Sequence, residues 1–508
     1  MDANRGIVET QLENVRYFTH RDYPPDGNTR TILEKMARVE GVVKPVVALP
    51  DLHYKYSYHT PTGVVVLTRD RIIPKFVNAN CGMSFVKTPF FADEVDDKKL
   101  DTLFDHLRKN ITISTRMEPV ISRDDLEEIV MKGAEWTFEK FGLDGRDLAN
   151  FENEGSLFKY DTRSAEKIMS YVPRACRDVG LLSLGVLGYG NHFIELQAVD
   201  SVLNGEIAEK FGISENQLCF MIHSDSRAFG QSLIDHYSKK TKRLLGLQQA
   251  YKKIHYMALA SQRVPRPVKR AFDRLNFYLN RFKSTAYWKM DALNRKADID
   301  FKTMGAGTEE AEGYLASTYA AINFGYANRA YMASVIRDAF NRAFGREDTQ
   351  VNILHDGNHD ALQQERIGGE IYYVHRNGAN RALPPECFPD HPVFSRTGQP
   401  VLLPSSLGRP SFLCAAAKGC PASYFSTCHG VGRVIDRGEA REKFSADEVF
   451  DEARSASMKI YDYGKGKAQE EAPRAFKDVN KVLETLAENE IAEPVARLRP
   501  LAVLKGWR

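Results

Sequence analysis

The chain is poor in cysteine, with seven among 508 residues and no CxxC pair. That argues against a disulfide-stapled scaffold and against a zinc ribbon, and leaves most of these thiols as reduced core residues. An uninterrupted apolar run of about 18 residues is also missing, and the stretch MDANRGIVETQLENV carries acids early without an apolar h-region. Neither export nor a membrane span is therefore expected, and the cytoplasm is the expected compartment. No internal repeat, low-complexity tract or linker rich in Pro, Gly or Ser divides the sequence.

What is present is a globular composition, 43% apolar and 27% charged. By length alone it allows about two to four domains and a sizeable core. Short β-type runs (VVVLT from residue 64, FIELQAV from 193, CFMIHS from 219, IYYVHR from 371, PVLLP from 400) alternate with helical stretches such as AINFGYANRAYMASVIRDAFNRAF. This pattern predicts an α+β architecture of mixed sheets with surrounding helices.

The net charge of +3 conceals a strongly basic segment. Residues 238–296 hold sixteen Lys or Arg against two Asp, a local charge of +14, so the rest of the chain is net acidic. Apolar residues recur there at helical spacing (Leu244, Leu247, Tyr251, Ile254, then Phe272, Leu275, Leu279, Phe282), and Pro265 and Pro267 interrupt them. The expectation is a helical hairpin over residues 238–300. Its charge, with Tyr256, Tyr278, Tyr287 and Trp288 interleaved, suits a phosphate backbone. A solvated helical pair packed on the body is the plainer alternative.

Four histidines stand at the ends of β-type runs or in small-residue turns: His192 in GYGNHFIE, His223 in MIHSDSR, His355 in NILHDGNHD and His429 in STCHGVGR. Cys81 in VNANCGM has a similar setting. A single histidine of this kind is usually a satisfied core or turn residue. A thiolate with several imidazoles suits a transition-metal ion such as zinc, manganese or iron, but the wide separation of these positions leaves spacing unable to prove a site.

Ten ordered motifs carry a resemblance: PDLH (50–53), NCGM (80–83), GNHFIE (190–195), IHSDSR (222–227), NFGYANR (323–329), VHRNGANRALP (374–384), GQPVLLPSSLG (398–408), STCHGVGR (426–433), EAPRAFKDV (471–479) and VARLRPLAVLKG (495–506). Together they resemble the RtcB family of RNA-splicing ligases, with residues 238–300 looking like an insertion into one catalytic domain spanning 1–508. The resemblance implies a ligase that joins RNA 3′-phosphate or 2′,3′-cyclic phosphate ends to 5′-hydroxyl ends. It would use GTP and two manganese ions and pass through a histidine-linked guanylate, in RNA repair or tRNA splicing. An archease-type protein is an implied activating partner, and RNA the implied substrate.

Mapped onto this chain, the resemblance makes His429 the nucleophile and Asp51 the carboxylate that holds its opposite ring nitrogen. Cys81 would bridge the metals, with His192, His223 and His355 as further ligands and Asn78 at a ligand position. Asn191, Glu195, Ser406, Phe476 and Lys505 look like the guanylate pocket. Arg227 and Arg381 would hold the RNA terminal phosphate, since a guanidinium fork matches it bidentately.

The chain departs from the family pattern near Cys81. Family members usually carry Asp three residues before this cysteine, where this chain has Asn78, a neutral and weaker donor. Asp356 stands where the residue after the third histidine ligand is usually Asn, and Asp225 where the usual residue is Gly. Either is expected to return the missing negative charge. Phe476 replaces a common tyrosine, and PDLHYKYSYHTPTG is bulkier than the family's glycine-rich turn. A metal-dependent phosphoesterase or nucleotidyl transferase that no longer seals ends is the alternative reading, with Asn78 as the discriminating feature.

Overall fold

A computed structural model of the chain describes residues 7–12, 14–54, 60–74, 76, 80–116, 118–237, 301–462 and 467–507. Asn78 and the expected basic hairpin over residues 238–300 lie outside these described residues.

Two sheets carry the architecture. The smaller is six-stranded, in the order Ile7–Leu12, Val15–His20, Val42–His53, Thr62–Thr68, Glu370–Asn377 and Asp360–Ile367. The β-branched run TGVVVLT sits at its centre with every residue buried, as expected of a strand covered on both faces. The larger sheet runs Asn352–Asn358, Gly82–Phe91, Gln217–Ser224, Phe193–Val202, Ala492–Lys505, Ser411–Ala416 and Pro400–Leu403. Lys459–Asp462 pairs in parallel with the strand Ala492–Lys505. All five β-type runs read from the sequence are strands, and the long helical stretch lies within one helix, so the α+β expectation holds.

That helix, Glu309–Phe344, is 36 residues long. Thr308 caps its start by accepting from the Ala311 N–H, three glutamates occupy its first turn, and Gly345 in the left-handed region ends it. Apolar and small residues cover nearly its whole circumference because it is buried between the large sheet and the helices Asp97–Asn110, Arg123–Lys132, Ala134–Phe141 and Arg227–Tyr237. Among its fully buried polar side chains, Asn328 and Arg329 brace the segments around Val186, Ser224 and Asp225. No described helix is long and apolar enough to cross a membrane.

Candidate functional site

The site forms where the two sheets meet. Cys81 immediately precedes the strand Gly82–Phe91, and its carbonyl accepts from the backbone N–H groups of His359 and Asp360 (3.0 and 3.3 Å). His359 joins the edge strand Asn352–Asn358 of the large sheet to the strand Asp360–Ile367 of the small one, which Asp360 opens. The Cys81 Sγ lies 3.1 Å from His192 Nε2 and 3.1 Å from His223 Nε2. His223 Nε2 is in turn 3.2 Å from His359 Nε2.

Backbone carbonyls fix two of these rings. His192 Nδ1 lies 3.0 Å from Leu187 O, and His223 Nδ1 lies 3.0 Å from Asn191 O. With the His223 Nδ1–H donating to its carbonyl, that ring's Nε2 lone pair is left on the side of the thiol, as in a histidine prepared for a metal. Burial pushes the His223 and His359 imidazoles well below their ordinary range, and neighbouring histidine charges add to the effect. The same burial, with Asp225 and Asp360 nearby, drives the Cys81 thiol well up. A cation bound among these atoms reverses that preference, because it stabilises the thiolate. Cys81, His192 and His223 are buried with ligand atoms within 4.8 Å of one another, and the donor set fits a divalent transition-metal ion.

Beside this centre lies the second element. His429 follows the short strand Ser426–Cys428, and its Nδ1 lies 2.6 Å from Asp51 Oδ2 and 3.0 Å from Gly378 O. With the Nδ1–H donating to those oxygens, the Nε2 lone pair is left for attack. The ring packs at 4.7 Å, centroid to centroid, from that of His359. Asp51 is fully buried. Close approach around it needs glycine: a Cβ on Gly63, whose φ is +80°, would come within 2.5 Å of Asp51 Oδ1. Lys477 braces the strand from behind, donating to Pro50 O and Leu52 O at 2.8 Å each. Burial lowers this ammonium to about 8, with Asp51 opposing the shift.

Of the residues mapped to a nucleotide pocket, Glu195 and Lys505 lie on adjoining strands of the large sheet, in the register that pairs Val503 with Glu195 and Lys505 with Phe193. Glu195 Oε1 accepts from Gln197 Nε2 at 2.6 Å. Burial raises its carboxyl to about 7, opposed by that hydrogen bond and by Lys505. Lys505 Nζ pairs with Glu471 at 3.4 Å and lies 5.9 Å from the Phe193 ring centroid. Asn191 is exposed, with its carbonyl on His223. Ser406 is half-buried in the turn after the strand Pro400–Leu403. One face of Phe476 is covered by the Arg433 guanidinium at 4.5 Å.

Arg227 adjoins the centre. Its Nη1 donates to Asp225 Oδ1 at 2.8 Å and lies 2.9 Å from His192 Nδ1. Arg381 is placed elsewhere, donating to Asn153 Oδ1 at 3.1 Å with Glu152 3.9 Å away.

Two expectations are corrected by this geometry. His355 does not join Cys81. Its Nδ1 lies 3.0 Å from Asn150 O and its Nε2 3.2 Å from Gln399 Nε2, and burial lowers it to about 3. His359, which sequence reasoning passed over, takes the place beside His223. The signal was a second histidine in the same NILHDGNHD run, but nothing local ranks one above the other. Asp356 likewise does not return charge to the centre. It is locked in a fully buried bidentate pair with Arg329 (2.9 and 2.5 Å) and also accepts from Ser84.

A buried thiol–imidazole cluster able to hold a metal ion thus stands beside a carboxylate-held histidine. A family model described as "tRNA-splicing ligase RtcB" matches residues 32–506. Relatives carrying that same name occur in Thermococcus kodakarensis (30% identical, covering 93% of this chain and 89% of the relative) and Methanopyrus kandleri (31%, covering 92% and 45%). Another occurs in Pyrococcus furiosus (28%, covering 97% and 48%). The chain belongs to the RtcB family. It spans about half the length of most of the curated relatives it matches.

Proposed function

We propose that the protein is a GTP- and manganese-dependent RNA ligase that joins 3′-phosphate or 2′,3′-cyclic phosphate ends to 5′-hydroxyl ends in RNA repair or tRNA splicing. The observation that carries this reading is the His429–Asp51 pair at 2.6 Å beside the Cys81 centre. His429 Nε2 attacks the α-phosphorus of GTP, forming an N–P bond as the P–O bond to pyrophosphate breaks. The Nδ1 proton stays on the ring, and the Asp51 carboxylate offsets the positive charge that develops there. Transfer of the guanylate to an RNA 3′-phosphate then gives the 5′-hydroxyl a leaving group to displace.

Cys81, His192, His223 and His359 would hold the metal, which when bound supplies charge neutralisation for the triphosphate and its leaving group. Glu195 accepts from the guanine edge, Lys505 lies close by, and Asn191, Ser406 and Phe476 complete the nucleotide side. Arg227 would meet the RNA terminal phosphate, the role also given to Arg381 although its guanidinium is engaged with Asn153 and lies near Glu152. An archease-type activator and a cytoplasmic setting are part of this proposal.

Incubation with GTP labelled on the α-phosphate, with manganese, tests it. Acid-labile label on the wild type that disappears in His429→Ala is the expected result; an unlabelled wild type would overturn it. The Asn78 substitution favours one rival, a phosphoesterase or nucleotidyl transferase acting on RNA ends without sealing them. That rival predicts release of phosphate or nucleotide from a 3′-phosphorylated RNA with no joined product.

A further inference from the structure

The family carboxylate expected at the position of Asn78 is missing, and Asp356 cannot stand in for it, because Arg329 and Ser84 already claim its oxygens. Asp360 directs Oδ1 to the Gly378 N–H at 2.8 Å. Asp225 is different. It sits in the turn between the strand Gln217–Ser224 and the helix Arg227–Tyr237, two residues beyond His223. Oδ1 accepts from the Arg227 backbone N–H at 2.6 Å and from Arg227 Nη1 at 2.8 Å. That hold supports Arg227 in the left-handed region at φ +55°, a conformation with a cost for a residue carrying a side chain. From beneath, the buried amide of Asn328 donates to Asp225 O at 3.1 Å. The turn is thus fixed at three points, and it directs Asp225 Oδ2 to within 3.8 Å of His192 Nε2.

We propose that Asp225 is a metal ligand in this chain, a carboxylate supplied from the turn after His223 to a divalent transition-metal ion bound through His192. The inference rests on the metal-dependent reading above. Ligand atoms bound at about 2.0–2.3 Å to one ion stand about 3–4 Å apart. The imidazole–carboxylate spacing of 3.8 Å fits that range. A carboxylate also suits manganese better than the amide it replaces, since it is a harder and negatively charged donor. The Arg227 guanidinium keeps its hold on the other oxygen, so one carboxylate links the metal to the residue placed to meet the RNA phosphate.

Manganese binding to the full chain, followed by the loss of the free-ion electron paramagnetic resonance signal and by calorimetry, tests this without requiring ligation. Asp225→Asn keeps the shape and the Oδ1 acceptor, and it is expected to weaken one class of sites by about tenfold or more. Adding Asn78→Asp to that variant is expected to restore most of the loss. Asn78→Asp alone, which leaves the turn intact, is expected to gain less than about threefold, because the site already holds a carboxylate. Unchanged affinity and stoichiometry in a folded Asp225→Asn protein would overturn the proposal, and so would a gain of about tenfold or more from Asn78→Asp alone. A wild type that takes up no manganese would instead bring down the metal-dependent reading itself, with this proposal along with it.

Discussion

His355 and His359 stand four residues apart in one run and end in different chemistry. His355 lies on the strand Asn352–Asn358, within the large sheet, in a closed pocket made by Asn150, Gln399 and Gly357. His359 lies just past that strand's end, where the chain leaves one sheet for the other and its N–H meets the Cys81 carbonyl. The difference teaches that position relative to a sheet boundary, and not residue type or local motif, decides which imidazole reaches a shared centre. Side chains inside a sheet are committed to the layer they pack in, whereas the crossing point faces the gap between layers.

Between the two histidines runs the Arg329–Asp356 pair, and cutting it is the strongest test of the contrast. Asp356→Ala leaves a fully buried guanidinium without its carboxylate and should cost about 3–5 kcal/mol of stability, read as a lowered midpoint in urea unfolding. A loss below about 1 kcal/mol would mean that the helix does not brace the strand through this pair.

Removing the rings themselves comes next. His359→Ala should weaken manganese binding about tenfold to a hundredfold, while His355→Ala should leave it within about twofold and lower the melting temperature instead. Calorimetric titration of both variants decides the matter, and the opposite ranking would return His355 to the metal.

The smallest effect lies on the nucleotide side. Burial raises the Glu195 carboxyl to about 7, so the group is protonated below that pH and becomes a full acceptor above it. GTP affinity should therefore rise several-fold between about pH 6 and 8. Glu195→Gln should flatten that rise, and a wild-type affinity that falls with pH would contradict the role given to Glu195.

Much of the fold was legible. Short β-type runs marked the strands Thr62–Thr68 and Phe193–Val202, and the helical stretch beginning at Ala321 belonged to the buried central helix. Cys81, His192 and His223 were legible as a set through the motifs that carry them, as was the His429–Asp51 pair. The choice between His355 and His359 was not legible, because it depends on where one sheet ends. Asp356 and Asp225 were also indistinguishable in sequence. Only packing shows that Arg329, reaching from a helix distant in the chain, neutralises the first, while the turn at Arg227 aims the second at His192.

The amino-acid sequence by itself determined which chemical groups this protein owns, the elements that carry them and the family that uses them. Those properties follow from local periodicity and motif. The tertiary structure alone decided which of those groups share a space. Convergence of side chains from residues 51, 81, 192, 223, 359 and 429 is a property of strand order and sheet crossing, and neighbours along the chain do not encode it.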